Sequence, residues 1–336
     1  MIELDGAQGE AGGQVLRSAL ALSACTQQPF RMSNIRIHRD MPGLLRQHLA
    51  AVNAAADLAN ADVHGAQLGS RELTFRPRQA HAGNYHFELG ASGSCSLILQ
   101  TVLPVLLLAD GPSTLHIAGG THHQMAPPFD ALQRAFIPVL ERMGAQIKLS
   151  LSSFGFPPQG SGALQVDIAP SVLTPVAIHQ RGARISYFAE AYLAGLPADV
   201  GRRELMTIGR HLHWSSDQLH LRTLPPSVGR GNAISVTLAH QYVTEVFTGF
   251  TEPGVRGEAV AQGVAADVAS YLSRSNPIGE FLADQLLLPM ALCGGGSFTT
   301  SAPSAHFRSN AWVVEQFTGR RILVEPQLDA YRVTIA

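Results

Sequence analysis

The stretch GEFLADQLLLPMALCGGGSFTTSAPSAHFRSN, Gly279 to Asn310, decides how the chain is read. Asp284 and Gln285 head the apolar run Leu286, Leu287, Leu288, Met290 and Leu292, which has the character of a buried helix. The run is too short, and too polar at its head, to span a bilayer. Gly294, Gly295 and Gly296 end it, because glycine takes the left-handed backbone that a helix exit needs. Ser297 to Thr300 alternates as a strand does. His306 follows in a turn, just before the apolar face Ala311, Val313, Val314 and Phe317 of another helix. Such a turn suits a nucleophile, since it is exposed and the helix dipole and free N–H groups favour a phosphate. Taken alone, His306 reads more simply as an ordinary surface histidine at a helix entry.

Outward from this stretch, the same order recurs. LRSALAL from Leu16, LQTVLPVLL from Leu99 and DQLLLPMAL from Asp284 align so that Arg17, Gln100 and Gln285 coincide, and Pro104 matches Pro289. Each helix is followed by a strand, a polar loop and a second helix. The loops carry Arg36 to Arg46, His122 to Pro128, and His306 to Asn310. The fold class expected is α+β, with three β-α-β-α-β-β repeats arranged about a pseudo-threefold axis so that the loops meet at one end. Strands of the third repeat are expected from Ala163–Ile168, yet the rest of it resumes only at Gly279. Residues 178–276 therefore read as an inserted small α+β domain, and 1–177 with 277–336 as the large domain. The insertion is expected to hold strands at Ile185–Leu193, Gln218–Thr223, Ala233–Leu238 and Val243–Phe250, with helices at Arg202–Leu212 and Ala259–Ser273.

The 336 residues are 46% hydrophobic and 15% charged, which excludes a highly charged disordered chain and allows a large core. The formal net charge of −1 provides no global field for nucleic acid, so an anionic partner must meet a local patch. Cys25, Cys95 and Cys293 lie in or beside apolar helical segments without metal-type spacing and read as reduced core thiols. His211, His213 and His220 have no defensible metal spacing either. The acidic, glycine-rich start MIELDGAQGEAGGQ is not a signal peptide. A cytoplasmic protein with no membrane span is the expectation.

Two further stretches carry candidate chemistry. Gly6 to Gly13 is a glycine-rich turn between a short strand and a helix, and such a turn can wrap a phosphate with backbone N–H groups. It lacks the Gly-Lys-Ser/Thr ending of a P-loop and is not GxGxxG. A plain tight turn explains it equally well. Glu10 within it is a metal-ligand candidate, or a carboxylate that offsets a helix dipole. RMSNIRIHRDMPGLLRQH, Arg31 to His48, is basic. Arg36 alternates with Ile35 and Ile37 as on a strand edge, Arg39 sits in the next turn, and Pro42-Gly43 start a helix bearing Arg46 and Gln47. Three converging guanidinium groups would bind an anion; a solvated charged edge is the plainer reading.

GAQGEAGGQVLRSAL, PGLLRQHLAAV, GSCSLILQTVLP, APP at 126–128, GEFLADQLLLPMAL and the histidine turn together resemble RNA 3′-terminal phosphate cyclase, in order and over nearly the whole chain. The resemblance implies three repeats similar to the C-terminal domain of translation initiation factor 3, with a small inserted domain. It implies conversion of an RNA 3′-phosphate end to a 2′,3′-cyclic phosphate, with ATP and a divalent metal, Mg or Mn. His306 matches the adenylated nucleophile, with Arg39 and Asp284 beside it in the catalytic set. Glu10 matches the metal-associated carboxylate; Arg36, Arg39 and Gln47 match RNA phosphate-binding positions. Gln100, Pro127, Phe281, Asp284 and Gln285 match ATP-binding positions, with adenine between Pro127 and Phe281. Phe281 stands where tyrosine is common. The family's triple glycine is Ala11-Gly12-Gly13 here, its glycine signature is FGFPPQGSG with Phe154 and Ser161 departing, and His122-His123 replace acidic or amide residues. RNA 3′-phosphate ends and ATP are the implied partners, and a homo-oligomer is compatible with them. The competing class is a non-catalytic RNA-binding relative acting in ribosome assembly, which would have no need of His306, Glu10 and Arg39 together.

Overall fold

The computed structural model describes all residues except Ala11 and Pro253, so the alanine departure in the glycine turn lies outside the described residues. The chain begins with β1 (Ile2–Asp5), α1 (Gly13–Thr26), β2 (Phe30–Ser33), α2 (Arg46–Ala59), β3 (Asp62–His64) and β4 (Leu73–Arg76). Their sheet runs β1-β2-β4-β3, with β1 parallel to β2 and the other pairs antiparallel. Next come β5 (Asn84–Glu88), α3 (Cys95–Leu107), β6 (Ser113–Gly119), α4 (Phe129–Ala131), α5 (Ile137–Arg142), β7 (Gln146–Ser153) and β8 (Gly162–Ala169). This sheet has the same order, β5-β6-β8-β7. A π-helical turn, Leu132–Phe136, joins α4 to α5. Pro138 explains it, because proline has no N–H and its ring crowds the carbonyl four residues back.

A short strand β9 (Ala177–Ile178) leads into β10 (Arg184–Ala194), α6 (Ala198–Leu212), β11 (Leu219–Leu224), β12 (Gly231–His240), β13 (Thr244–Phe250) and α7 (Gly257–Leu272). Strands β10 to β13 form their own sheet in the order β11-β10-β12-β13. The chain closes with α8 (Glu280–Leu292), β14 (Gly296–Thr300), α9 (Ala305–Thr318), β15 (Ile322–Pro326) and β16 (Tyr331–Ile335). Their sheet is completed by β9, in the order β9-β14-β16-β15.

Packing separates the same regions. One apolar core gathers Leu16 and Leu20 of α1, Val102 and Leu106 of α3, Leu286 and Leu287 of α8, and Val313 and Val314 of α9. A second core, with Ile208, Ile234, Val236, Leu238, Ala261 and Val268, fills the space between the β10–β13 sheet and helices α6 and α7. Among the described residues, no helix is long and apolar enough to cross a membrane.

Three local expectations are corrected. Gly162–Ala169 belongs to the second sheet, between β6 and β7, and the third sheet takes β9 as its first strand. Alternation reports a strand's two faces but not its partners, and Leu164, Val166 and Ile168 are buried here in the shared core. Arg36 is not on a strand edge. Asn34 and Arg36 take φ of 53° and 55°, so β2 stops at Ser33, and the Arg36 Nη1 donates to the carbonyls of Met41 (2.5 Å) and Gly43 (3.1 Å). His306 lies inside the first turn of α9 rather than ahead of it, because Ser304 is the N-cap and accepts from the Phe307 N–H at 3.1 Å.

Candidate active site

The N-terminal ends of α1 and α9 meet at the glycine turn. Gly9 has φ +63°, and a Cβ there would lie 2.1 Å from the Ser309 Oγ. Only glycine permits this approach. It lets the Glu10 N–H donate to the Ser309 Oγ at 3.1 Å, which sets the Glu10 side chain beside the His306 ring. The His306 Nδ1 is 2.7 Å from the Glu10 Oε2 and 2.8 Å from the Gln14 Oε1. Hydrogen-bond geometry is met on the Gln14 side, while the Glu10 Oε2 is buried without a hydrogen-bond partner. The Gln14 Nε2 donates in turn to the Asp284 Oδ2 at 2.5 Å. Residues from the first and last parts of the chain thus form one line, His306–Gln14–Asp284.

The surroundings hold this line in place. The Asn310 Nδ2 donates to the Asp284 carbonyl at 2.9 Å, and the Ser18 Oγ donates to the Asn310 Oδ1 at 2.6 Å. Burial raises the Asp284 carboxyl above the usual carboxylate range, opposed by the Gln14 hydrogen bond and by the charge of Arg17. Burial lowers the Arg17 guanidinium to about 10, and Asp284 opposes that shift. His48, 2% exposed, is pushed down to about 3 by burial first and then by Arg17 and Arg36, so it is neutral. Its Nδ1 accepts from the Leu45 N–H at 3.0 Å, closing the start of α2. A Cβ at Gly13 would lie 2.4 Å from the His48 Nε2, so this glycine sets how closely α1 meets α2.

The residues expected from the sequence divide into groups. Glu10, Asp284 and His306 are gathered, and the Arg39 Nη2 donates to the Glu10 carbonyl at 3.0 Å. The Gln285 Oε1, next along α8, is buried without a partner. Arg36 spends Nη1 on the carbonyls of its own loop, and Gln47 is exposed in the first turn of α2. Gln100 lines a narrow, largely apolar cavity of about 20 Å³ with Leu103, Pro104, Phe136 and Pro289. Pro127 stands on the loop between β6 and α4, and Phe281 is 72% exposed in the first turn of α8. Gln14, Arg17, His48, Ser309 and Asn310 were not singled out by sequence as site residues. The helix alignment pointed at Arg17, but it carried no sign of what the side chain would face.

The two departures His122 and Phe154 touch. Their rings stack at 4.9 Å, and Phe156 lies 5.4 Å from the same imidazole. His122 also contacts the Asp130 Oδ2 at 3.1 Å and the Thr121 Oγ1 at 3.0 Å. The histidine is thus a buried, fully engaged side chain at the start of the loop that carries Pro127.

A family model described as RNA 3′-terminal phosphate cyclase matches residues 8–324. The chain belongs to the RNA 3′-terminal phosphate cyclase family. The RNA 3′-terminal phosphate cyclase of Ectopseudomonas mendocina (strain ymp) is 47% identical over 322 residues, covering 96% of this chain and 94% of that protein. That of Ralstonia nicotianae is 46% identical over 336 residues, covering 99% and 96%. That of Salmonella typhimurium is 44% identical over 337 residues, covering 100% and 99%. This cyclase family member is an enzyme, and the scaffold alternative is not favoured. A solved EPSP synthase from Acinetobacter baumannii aligns over 96% of this chain and 61% of its own at 14% identity, with a TM-score of 0.30, too loose a superposition to bear on the fold.

Proposed function

We propose that this cyclase family member converts an RNA 3′-phosphate end to a 2′,3′-cyclic phosphate, consuming ATP through an adenylylated His306. The observation that carries the reading is the engagement of the His306 Nδ1 by Gln14, which leaves Nε2 free for attack. The Nε2 lone pair attacks the α-phosphorus of ATP, and pyrophosphate leaves. An oxygen of the RNA 3′-phosphate then attacks the same phosphorus, the P–N bond breaks, and the RNA end carries AMP. Finally the vicinal 2′-OH attacks the 3′-phosphorus and loses its proton, and AMP departs. The last step is intramolecular, so proximity supplies several kcal/mol of it, on the order of 7–11 at best. It requires a ribose.

Arg17 and Arg39 face the phosphates in this reading and offset the charge that builds on them. Gln285, Pro127 and Phe281 bind the nucleotide, Phe281 by stacking. Gln100 lies farther down its helix against apolar neighbours and supports the nucleotide side only through packing. Arg36 and Gln47 complete the RNA phosphate site, with Arg36 contributing the donors its loop leaves over. Among the described residues, no group of three His, Cys, Asp or Glu side chains could hold a metal ion. The Glu10 Oε2, which makes no hydrogen bond, fits a different arrangement, in which one carboxylate would hold Mg or Mn and substrate phosphates and water would fill the rest of the shell. Such an ion would offset phosphate charge.

The architecture fits three βαβαββ repeats similar to the C-terminal domain of translation initiation factor 3, formed by 1–177 and 277–336, with 178–276 as an inserted domain. The matching order of three sheets and the separate core of the fourth support that division.

The test is incubation with ATP labelled at the α-phosphate and no RNA. An acid-labile covalent AMP adduct is expected. Its absence, with cyclisation intact, would remove the histidine–AMP route.

A further inference from the structure

We infer that Gln14 is a positioning residue that selects the nucleophilic tautomer of His306, with its own amide aimed by Asp284. This role presupposes His306 as the nucleophile. A neutral imidazole carries one proton, and only the nitrogen without it can attack. If the proton sat on Nε2, the ring would present an N–H to the α-phosphorus and could form no bond to it. Whatever lies against Nδ1 therefore decides whether the side chain is competent.

Gln14 lies against it, and the amide can point only one way. A carboxylate accepts hydrogen bonds and donates none, while a glutamine amide has a donating end and an accepting end. The Asp284 Oδ2, 2.5 Å from the Gln14 side chain, takes the NH₂ end. The Oε1 end is then left facing the His306 Nδ1 at 2.8 Å, where only an N–H satisfies it. Burial raises the Asp284 carboxyl; the Gln14 hydrogen bond, Asn310, His306 and Arg17 oppose that shift and favour the ionised carboxylate that this orientation requires. Asp284 is itself held, since Asn310 on α9 binds its backbone carbonyl at 2.9 Å and Ser18 on α1 holds Asn310. Its orientation thus runs from a buried framework, through one amide, to the ring.

Glu10 is the other group near Nδ1, at 2.7 Å. Its Oε2 lies off the N–H direction and makes no hydrogen bond. As the carboxylate suited to a metal ion, it has a separate task. Gln14 is uncharged, so it can hold the Nδ1 proton without adding negative charge beside an incoming triphosphate. That gives a physical reason for an amide, rather than a second carboxylate, at this position.

The experiment uses the full chain labelled with ¹⁵N-histidine, with His306 assigned by the signals missing in His306→Ala. Two-bond proton–nitrogen correlation spectra at a pH where the ring is neutral report which nitrogen is protonated. Wild type is expected to show Nδ1–H. Gln14→Met, of similar length and with no hydrogen bonds to offer there, is expected to populate Nε2–H. At saturating ATP it should form the AMP adduct at least about tenfold more slowly, with half-saturating ATP little changed; full conversion to the wrong tautomer would approach about 10⁴-fold. In Gln14→Glu/Asp284→Asn, donor and acceptor trade places between the two residues, and Nδ1–H should return in the spectrum. Thermal melts check that each variant is folded. Retention of Nδ1–H in folded Gln14→Met would overturn the assignment and leave Glu10 as the holder, and so would Nε2–H in the double variant. A wild-type protein that takes no AMP from ATP removes the nucleophile reading instead, whatever the spectra show.

Discussion

Two of the polar clusters in the interior of this cyclase family member are built differently. At the β10–β13 sheet, Arg134 from the π-helical turn pairs with Asp130 at 2.9 Å and Glu190 at 2.7 Å. The Tyr192 hydroxyl, with one proton to donate, lies 3.0 Å from the Asp130 Oδ1 and 2.8 Å from the Glu190 Oε2, Arg222 holds the other oxygen of Glu190 at 2.9 Å, and His122 stands on Asp130. None of the side-chain atoms of Asp130, Glu190 or Tyr192 is among the buried unpartnered ones. At the meeting of α1, α8 and α9, by contrast, the Glu10 Oε2, Asp284 Oδ1 and Gln285 Oε1 are all buried without hydrogen-bond partners, the Glu10 Oε2 lying 2.7 Å from the His306 Nδ1. A saturated cluster ties elements together. An unsaturated one carries a cost of about 1–3 kcal/mol per unmet group, which a bound ligand or water can offset. The first cluster joins Asp130 and Arg134 to the β10–β13 sheet, while the second leaves acceptors open in the candidate site, as the Glu204 Oε2 and Asn232 Oδ1 are left open elsewhere.

The contrast can be broken most sharply at His306. His306→Ala should lower transfer of label from the α-phosphate of ATP to protein by roughly 10⁴-fold or more, with the melting temperature nearly unchanged. Adduct persisting in that variant would move the chemistry elsewhere. Arg134→Ala should show the opposite pattern. It leaves Asp130 and Glu190 without their shared cation, at a cost of about 3–5 kcal/mol of stability by denaturant unfolding, while adduct formation per folded molecule holds. Equal loss of both properties would mean the saturated cluster also serves the chemistry.

Arg39→Ala sharpens the division within the candidate site. Use of RNA 3′-phosphate should fall roughly 10²-fold and self-adenylation less than tenfold. Equal losses would place Arg39 on the nucleotide rather than on the RNA.

Glu245 on β13 lies between the two extremes. It accepts from the Gly279 N–H at 2.6 Å, at the head of the helix that carries Asp284. Burial pushes its carboxyl up to about 8, opposed by the Gly279 hydrogen bond and by Arg181, from the 4.5 of a free glutamate. The folded state therefore favours the neutral acid. The stability this confers is complete below pH 4.5 and is lost as the pH rises toward 8. Glu245→Gln, which cannot ionise, should be more stable than wild type at pH 8 by about 1–3 kcal/mol and indistinguishable from it near pH 4.5. Thermal melts at the two pH values decide it, and a gain independent of pH would show that ionisation is not the cause.

Much of the secondary structure was legible because it is periodic. Helix α8, the strand after its glycines and the strands and helices from β10 to α7 all follow spacings of a few residues, which a chain carries in itself. Departures arose where a local backbone feature broke the period. Ile35 and Ile37 flank Arg36 as in a strand, yet the left-handed backbone at Asn34 and Arg36 turns the chain back on Gly43. The π-helical turn at Leu132–Phe136 needed Pro138 to be weighed against a helix that continues through it.

The sequence by itself determined the type and order of the elements, the glycine turn, the identity of His306 as a candidate and the family motifs. Only the tertiary structure decided that β8 belongs to the second sheet, and that Gln14 stands between His306 and Asp284. Those partners are 292 and 270 residues apart, and a hydrogen bond of 2.8 Å across such a span is set by how whole helices pack, which no local pattern encodes.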